Sequence, residues 1–183
     1  MANWCENDLV VKGKPKDLNE FIEFVKNPDM AFDFNKIAPM PEVFKAVVSG
    51  FTTIDGEKFT HLREHFVDDS RVLVGVKQEE LDRWKAEYGH DNWRDWSIAN
   101  WGTKWNANEP ILTARCAGSI AYTFSTAWSP PLPIIQALAE RFPKLKLSLK
   151  YYECGCAFKG YAKYAKGVPI EEGKGTYAGK RGG

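Results

Sequence analysis

The sequence has almost no net charge. Its 25 Lys+Arg residues against 24 Asp+Glu leave a formal +1 over 183 residues, which removes any global electrostatic case for nucleic acid or an anionic membrane and leaves only local patches. Cysteine is scarce: Cys5, Cys116, Cys154 and Cys156 are too few for a disulfide scaffold and agree with a reducing compartment. There is no CxxC pair, and Cys154-Gly155-Cys156 has no partner pair at zinc-finger spacing, so no structural zinc is expected. No apolar run approaches the roughly 20 residues of a membrane span. The opening Met1-Ala2-Asn3-Trp4-Cys5-Glu6 has neither a basic nor an apolar leader region, which predicts a cytosolic protein without a membrane role. No P-loop, Rossmann glycines, Ser–His–Asp order or paired catalytic carboxylates stand out, and three histidines offer little general-base material.

What is present reads as a globular domain, with 44% hydrophobic, 14% aromatic and 27% charged residues close to the globular average. Leu9-Val10-Val11 forms a short apolar run ended by Gly13 and Pro15, as in a buried strand. A helix is predicted next: Asp17 and Glu20 match a capping box, and Leu18, Phe21, Ile22 and Val25 share one face up to Asn27-Pro28. Further on, Ile111 to Cys116 and Ile120 to Phe124 read as strands joined at Gly118-Ser119, a pair suited to a type II′ turn. Ser129 is placed to cap a helix starting at Pro130, with Ile134, Ile135, Leu138 and Ala139 as its apolar face. Leu145, Leu147, Leu149 and Tyr151 then alternate with polar neighbours, and Ala157 to Tyr164 reads as a pairing strand. The order is β–α, a long excursion, then β–β–α–β and one more strand. This predicts an α+β fold of the ferredoxin-like βαββαβ type with an extra C-terminal strand and a large, partly helical insertion after the first helix. The expected boundaries are a single domain over residues 1–164, with core segments 1–28 and 109–164, an insertion over 29–108, and a Gly/Lys-rich flexible tail over 165–183 carrying Lys166, Lys174, Lys180 and Arg181. Within the insertion, Leu81, Trp84 and Tyr88 stack at helical spacing before Gly89. Trp84, Trp93, Trp96, Trp101 and Trp105 cluster in or just after it, as a second small core or a binding surface would require.

Several short motifs resemble a known family. Asn3-Trp4-Cys5-Glu6-Asn7, Phe32-Asp33-Phe34-Asn35-Lys36-Ile37-Ala38-Pro39-Met40-Pro41, Asn100-Trp101-Gly102-Thr103-Lys104-Trp105, Phe124-Ser125-Thr126-Ala127-Trp128-Ser129-Pro130-Pro131 and the closing Tyr152-Glu153-Cys154-Gly155-Cys156 together resemble the YubB-like family of phage and plasmid proteins. The resemblance implies a ferredoxin-like domain carried by mobile genetic elements, with no reaction and no catalytic residues to carry across. The fold name does not imply an iron–sulfur cluster, and the cysteine spacing fits none. No cofactor is expected.

The candidate site residues follow from chemistry. Asn100, Trp101, Thr103, Lys104 and Trp105 place two indoles, a cation and hydrogen-bonding groups in six residues, a composition suited either to a recognition surface or to plugging the insertion onto the sheet. Trp128 stands at a strand-to-helix turn, where the main expectation is that it covers the helix end. Glu153, beside Cys154, is a carboxylate available to an assembled site. Lys159-Gly160-Tyr161-Ala162 copies the first half of the RNA-recognition strand motif, and alternation puts Lys159, Tyr161 and Lys163 on one face, with Lys150 and Tyr152 extending it. Edge lysines that discourage aggregation explain the same pattern. Finally, His61-Leu62-Arg63-Glu64-His65 matches the H-x-x-E-H zincin pattern if helical, with Phe59, Leu62 and Phe66 as its apolar stripe, but no third ligand is signalled. The leading expectation is a non-enzymatic cytosolic binding protein of a phage or plasmid in a bacterial host. It would engage a host protein or protein complex, a counter-defence role included. RNA or single-stranded DNA binding is the alternative, and a metal-dependent hydrolase using His61 and His65 the second alternative.

Overall fold

The computed structural model describes residues 3–45, 47–67 and 70–179. By internal contacts the chain forms two compact units, Met1–Pro39 with Ile98–Gly183, and Met40–Ser97.

In the first unit, strand β1 (Trp4–Lys12) leads into helix α1 (Pro15–Val25) and the short α2 (Phe34–Ile37). In the second, a short α3 (Glu42–Lys45) precedes strands β2 (Val47–Ile54), β3 (Glu57–Val67) and β4 (Ser70–Gly75) and helix α4 (Gln78–Tyr88). Helix α5 (Trp93–Trp101) straddles the division in sequence, after which β5 (Asn108–Cys116), β6 (Ser119–Ala127), α6 (Leu132–Arg141), β7 (Lys146–Glu153), β8 (Phe158–Ala165) and β9 (Val168–Thr176) complete the first unit. Its sheet has the order β5-β6-β1-β7-β8-β9. β1-α1-β5-β6-α6-β7 is thus the ferredoxin-like βαββαβ, with β1 antiparallel to both β6 and β7 and two strands added beyond β7.

The alternating burial of β1, β6 and β7 separates two sheet faces. On one, Leu9, Val11, Tyr122, Phe124, Leu147 and Leu149 are buried with Phe21 of α1 and Ile134, Ile135 and Leu138 of α6. Each such side chain contributes about 1.5–3 kcal/mol by leaving water. The Phe32-Asp33-Phe34 segment belongs to this core: Phe32 stacks on Phe124 at 5.3 Å. The buried Asp33 carboxylate accepts from Asn27 Nδ2, the Asn35 amide and Asn106 Nδ2. Buried carboxylates are tolerated when satisfied in this way. Residues 29–39 and 98–107 thus belong to the first unit, and the second unit, Met40–Ser97, lies within the 29–108 segment that the element order reads as an insertion.

Several local expectations shift. α1 begins at Pro15, its proline in the first turn and Asp17 inside rather than capping. The β5–β6 turn falls on Ala117-Gly118 without positive φ at either residue, so it is not type II′. Ser129 does not cap α6, which starts after Pro131; its hydroxyl donates to Gly102 O at 2.6 Å. The expected flexible tail is instead strand β9, entered through Lys166-Gly167 with φ of 55° and 81°. Such a left-handed pair makes a tight hairpin turn that matches strand twist, and β-pairing supplies the hydrogen bonds that glycine-rich composition does not signal. Lys180 and Arg181 lie outside the described residues.

In the second unit, β3 is paired with β2 and β4, and the core contains Phe44, Leu62, Leu81 and Trp84. Phe44 meets Trp84 edge-on at 5.8 Å and Tyr88 at 5.6 Å, and α4 ends at Gly89 in the left-handed conformation, as its sequence predicts.

Candidate functional site

Trp101-Gly102-Thr103-Lys104-Trp105 divides into buried and exposed members. Trp101 ends α5, is buried, and donates its indole N–H to Ala38 O at 2.8 Å. Gly102 turns the chain at φ 79°; a Cβ there would stand 2.6 Å from Pro133 Cδ. Thr103 is buried and donates to Ala127 O at 2.8 Å. These two side chains anchor the segment to α2 and β6 rather than face solvent. Asn100 is half-buried on the last turn of α5.

Trp105 emerges, 40% exposed, and two other indoles gather beside it: Trp4 at 37% and Trp128 at 41%. The Trp4 and Trp105 rings lie 6.0 Å apart, and those of Trp105 and Trp128 6.4 Å apart. The Lys104 ammonium sits 4.5 Å from the Trp105 centroid and 5.1 Å from that of Trp128, within cation–π range. Trp128 adopts φ 69°, a conformation that costs a non-glycine residue of order 1–3 kcal/mol and recurs at functional sites. Its amide donates to Asn3 O at 2.9 Å, closing β6 onto the start of β1. Sequence spacing does not flag Trp4; only the β1–β6 register, which sets Trp4 opposite Ala127, brings it to the other two.

A second feature lies on the sheet face turned away from α1 and α6. There Lys150 and Tyr152 of β7 stand opposite Tyr161 and Lys159 of β8, and Gly173 and Gly175 of β9 stand opposite Tyr161 and Lys159 in turn. Tyr152 stacks on Tyr177 at 4.8 Å and 9°. With Lys174 these residues line a concavity of about 580 Å³. A Cβ on Gly173 would stand 2.5 Å from the Tyr161 ring, so the missing side chain lets that ring lie against the β9 backbone. Lys163 is held apart by Glu171, which accepts from its ammonium at 2.7 Å and from the Tyr161 hydroxyl at 2.9 Å. Toward the sheet centre, Glu6 on β1 has its carboxyl raised above the ordinary range by burial, by Asp8 and by Glu109.

Glu153, buried at the end of β7, accepts from the amides of Gly155 and Cys156 at 2.5 Å each. Burial opposes its charge, yet those amides hold the carboxyl below the usual carboxylate range. It is a turn-closing residue. Burial likewise pushes the Cys5 thiol up to about 12, which removes its thiolate at neutral pH.

The His61-Leu62-Arg63-Glu64-His65 segment lies in β3, not in a helix. In a strand, positions four apart are separated by about 13 Å, so two ligands one helical turn apart do not arise. The side chain of His65 lies outside the described residues, as does that of Phe66. Among the described residues no cluster of three or more His, Cys, Asp or Glu could hold a metal ion, and no helix is long and apolar enough to cross a membrane.

Residues 100–178 match the family model of the ferredoxin-like domain in Api92-like protein, a span that runs from the end of α5 through β9. The fold is also similar to the crystal structure of protein api92 from Yersinia pseudotuberculosis, with a TM-score of 0.55 at 12% identity, covering 98% of this chain and 99% of that one. No curated protein matches the sequence. By sequence over residues 100–178 and by fold over nearly the whole chain, the protein is thus similar to Api92 and its ferredoxin-like domain.

Proposed function

We propose that this protein is a non-enzymatic binding protein, and that the Trp4, Trp105 and Trp128 surface around Lys104 engages a protein partner. The observation that carries this reading is the gathering of three exposed indoles, two of them about the Lys104 ammonium, one of them at a strained φ. Tryptophans in this setting supply large contact areas at low entropic cost, and interface hot spots are enriched in them. Trp101 and Thr103 support the surface from beneath, because their hydrogen bonds to Ala38 and Ala127 hold the loop that presents Lys104 and Trp105. A phage or plasmid origin, a site of action in the bacterial cytosol, and inhibition of a host defence complex follow from the motif resemblance and belong to the same proposal.

The test is affinity capture from a bacterial lysate with nuclease treatment, comparing the wild type with Trp105→Ala and Lys104→Ala. The expected result is a nuclease-resistant partner retained by the wild type and lost from both variants, whose melting temperatures stay within a few degrees of the parent. Retention of the same partner by both variants would overturn the assignment of this surface.

A further inference from the structure

The Tyr and Lys concavity on β7, β8 and β9 has a chemistry different from that of the indole cluster, and it does not depend on the reading above. Its aromatic wall is already assembled: Tyr152 and Tyr177 are parallel and in stacking contact, and Tyr161 stands across the neighbouring strand. Its cations are Lys150 and Lys159, which share this sheet face beside the carboxylate of Asp8, whereas Lys174, opposite Gly160, leaves from the other face of β9. No ion pair among the described residues involves Lys150 or Lys159. Its depth comes from backbone, because Gly173 and Gly175, opposite Tyr161 and Lys159, contribute no side chains to the lining. About 580 Å³ falls inside the roughly 300–1,000 Å³ range of sites that hold one ligand of nucleotide size or slightly more.

We propose that this concavity holds one or two nucleotides of a single-stranded nucleic acid, the bases against Tyr152, Tyr161 and Tyr177 and the phosphates at Lys150 and Lys159. Aromatic faces combined with a basic groove are the recurring solution for single strands, because every base has a π-face and every linkage a charge. A duplex hides its bases and offers nothing to the tyrosines. The carboxylates of Glu6 and Asp8 on β1 bound the site toward the sheet centre, so the strand runs along β7–β9 and not across β1 and β6. Lys163 takes no part, being engaged by Glu171.

The experiment is fluorescence anisotropy of a short labelled oligouridine with the full chain, titrated at several salt concentrations. Two phosphate contacts predict a slope of log K against log salt of about −1.4, hence roughly a 7-fold loss between about 50 and 200 mM salt. Tyr177→Ala should weaken binding by about 5- to 150-fold, the range for one lost base stack. Tyr177→Phe, which keeps the ring, should restore it. Lys159→Ala should flatten the slope by about 0.7, and Asp8→Asn should tighten binding. Tyr177 lies beyond the end of β9, so its variants are expected to fold, and Trp105→Ala should leave oligouridine binding unchanged. Absence of binding at low salt, an affinity indifferent to Tyr177→Ala, equal affinity for a duplex, or equal affinity for free uridine monophosphate would each overturn the proposal. The last result would assign the site to free nucleotides.

Discussion

Two tryptophans four residues apart should respond to truncation in opposite ways. Trp101 is 4% exposed, lies edge-on to Phe34 at 6.0 Å and donates to Ala38 O. Removing a buried Trp to Ala costs about 3–5 kcal/mol through lost transfer energy and the cavity left behind. The Ala38 carbonyl adds less than a fully buried orphan would, because Ala38 is half-buried and water can replace the indole. A loss of about 4 kcal/mol is a large share of the roughly 5–15 kcal/mol that holds a domain folded. It corresponds to a fall in melting temperature of about 8–16 °C. Trp105, 40% exposed, loses ring contacts with Trp4 and Trp128 and the Lys104 ammonium over its face, together worth about 1–1.5 kcal/mol at a wet surface, or about 2–6 °C. Trp101→Phe should recover most of the buried area while losing the hydrogen bond, and so melt between Trp101→Ala and wild type. Thermal and urea unfolding followed by circular dichroism reads all three. If Trp101→Ala and Trp105→Ala melted within about 2 °C of each other, the division of this motif into an anchor and a presented surface would be refuted.

Trp128→Gly should melt at or above Trp128→Ala in differential scanning calorimetry, because glycine adopts φ near 69° without the steric penalty alanine retains; the reverse order would show that the left-handed conformation is not strained. Glu153→Gln should destabilise the fold at neutral pH. Since the carboxyl is held below its ordinary value of 4.5, its stabilising charge is fully present above that pH and lost as the pH falls through the lowered value; the gap in melting temperature between variant and wild type should therefore close in acid, and a pH-independent gap would contradict the amide contacts as its source. In a thiol-labelling time course at mild alkaline pH, exposed Cys116 and Cys156 should react promptly, while Cys5, pushed to about 12 by burial, reacts only on unfolding. Prompt labelling of Cys5 would mean that β1 opens locally.

The ferredoxin-like core was legible because each element announces its own period. Leu18, Phe21, Ile22 and Val25 can face one side only in a helix, and Leu147, Leu149 and Tyr151 only in a strand. The second unit was misread where the local signal is ambiguous. Phe59, Leu62 and Phe66 fit helical spacing, yet β3 is a strand held between β2 and β4, and the informative residues were Asp55-Gly56, whose φ of 51° and 84° make the hairpin turn that such a pair favours. β9 was missed for the opposite reason: its glycines have no intrinsic preference for a strand, and only pairing with β8 orders them.

Sequence alone determined the element types in the core, their order and hence the βαββαβ topology, together with the near-neutral charge. Those properties depend on composition and on spacings shorter than one helical turn or one strand. The tertiary structure alone decided which polar and aromatic residues meet. Trp4 and Trp128 are 124 positions apart in sequence and become neighbours through the register of β1 on β6. Trp101 and Trp105 look alike in sequence but differ because a left-handed glycine between them turns one inward and leaves the other at the surface. Tyr152 finds Tyr177 only once β9 has paired. Long-range register is set by the summed burial of whole strands, a quantity that no local window contains.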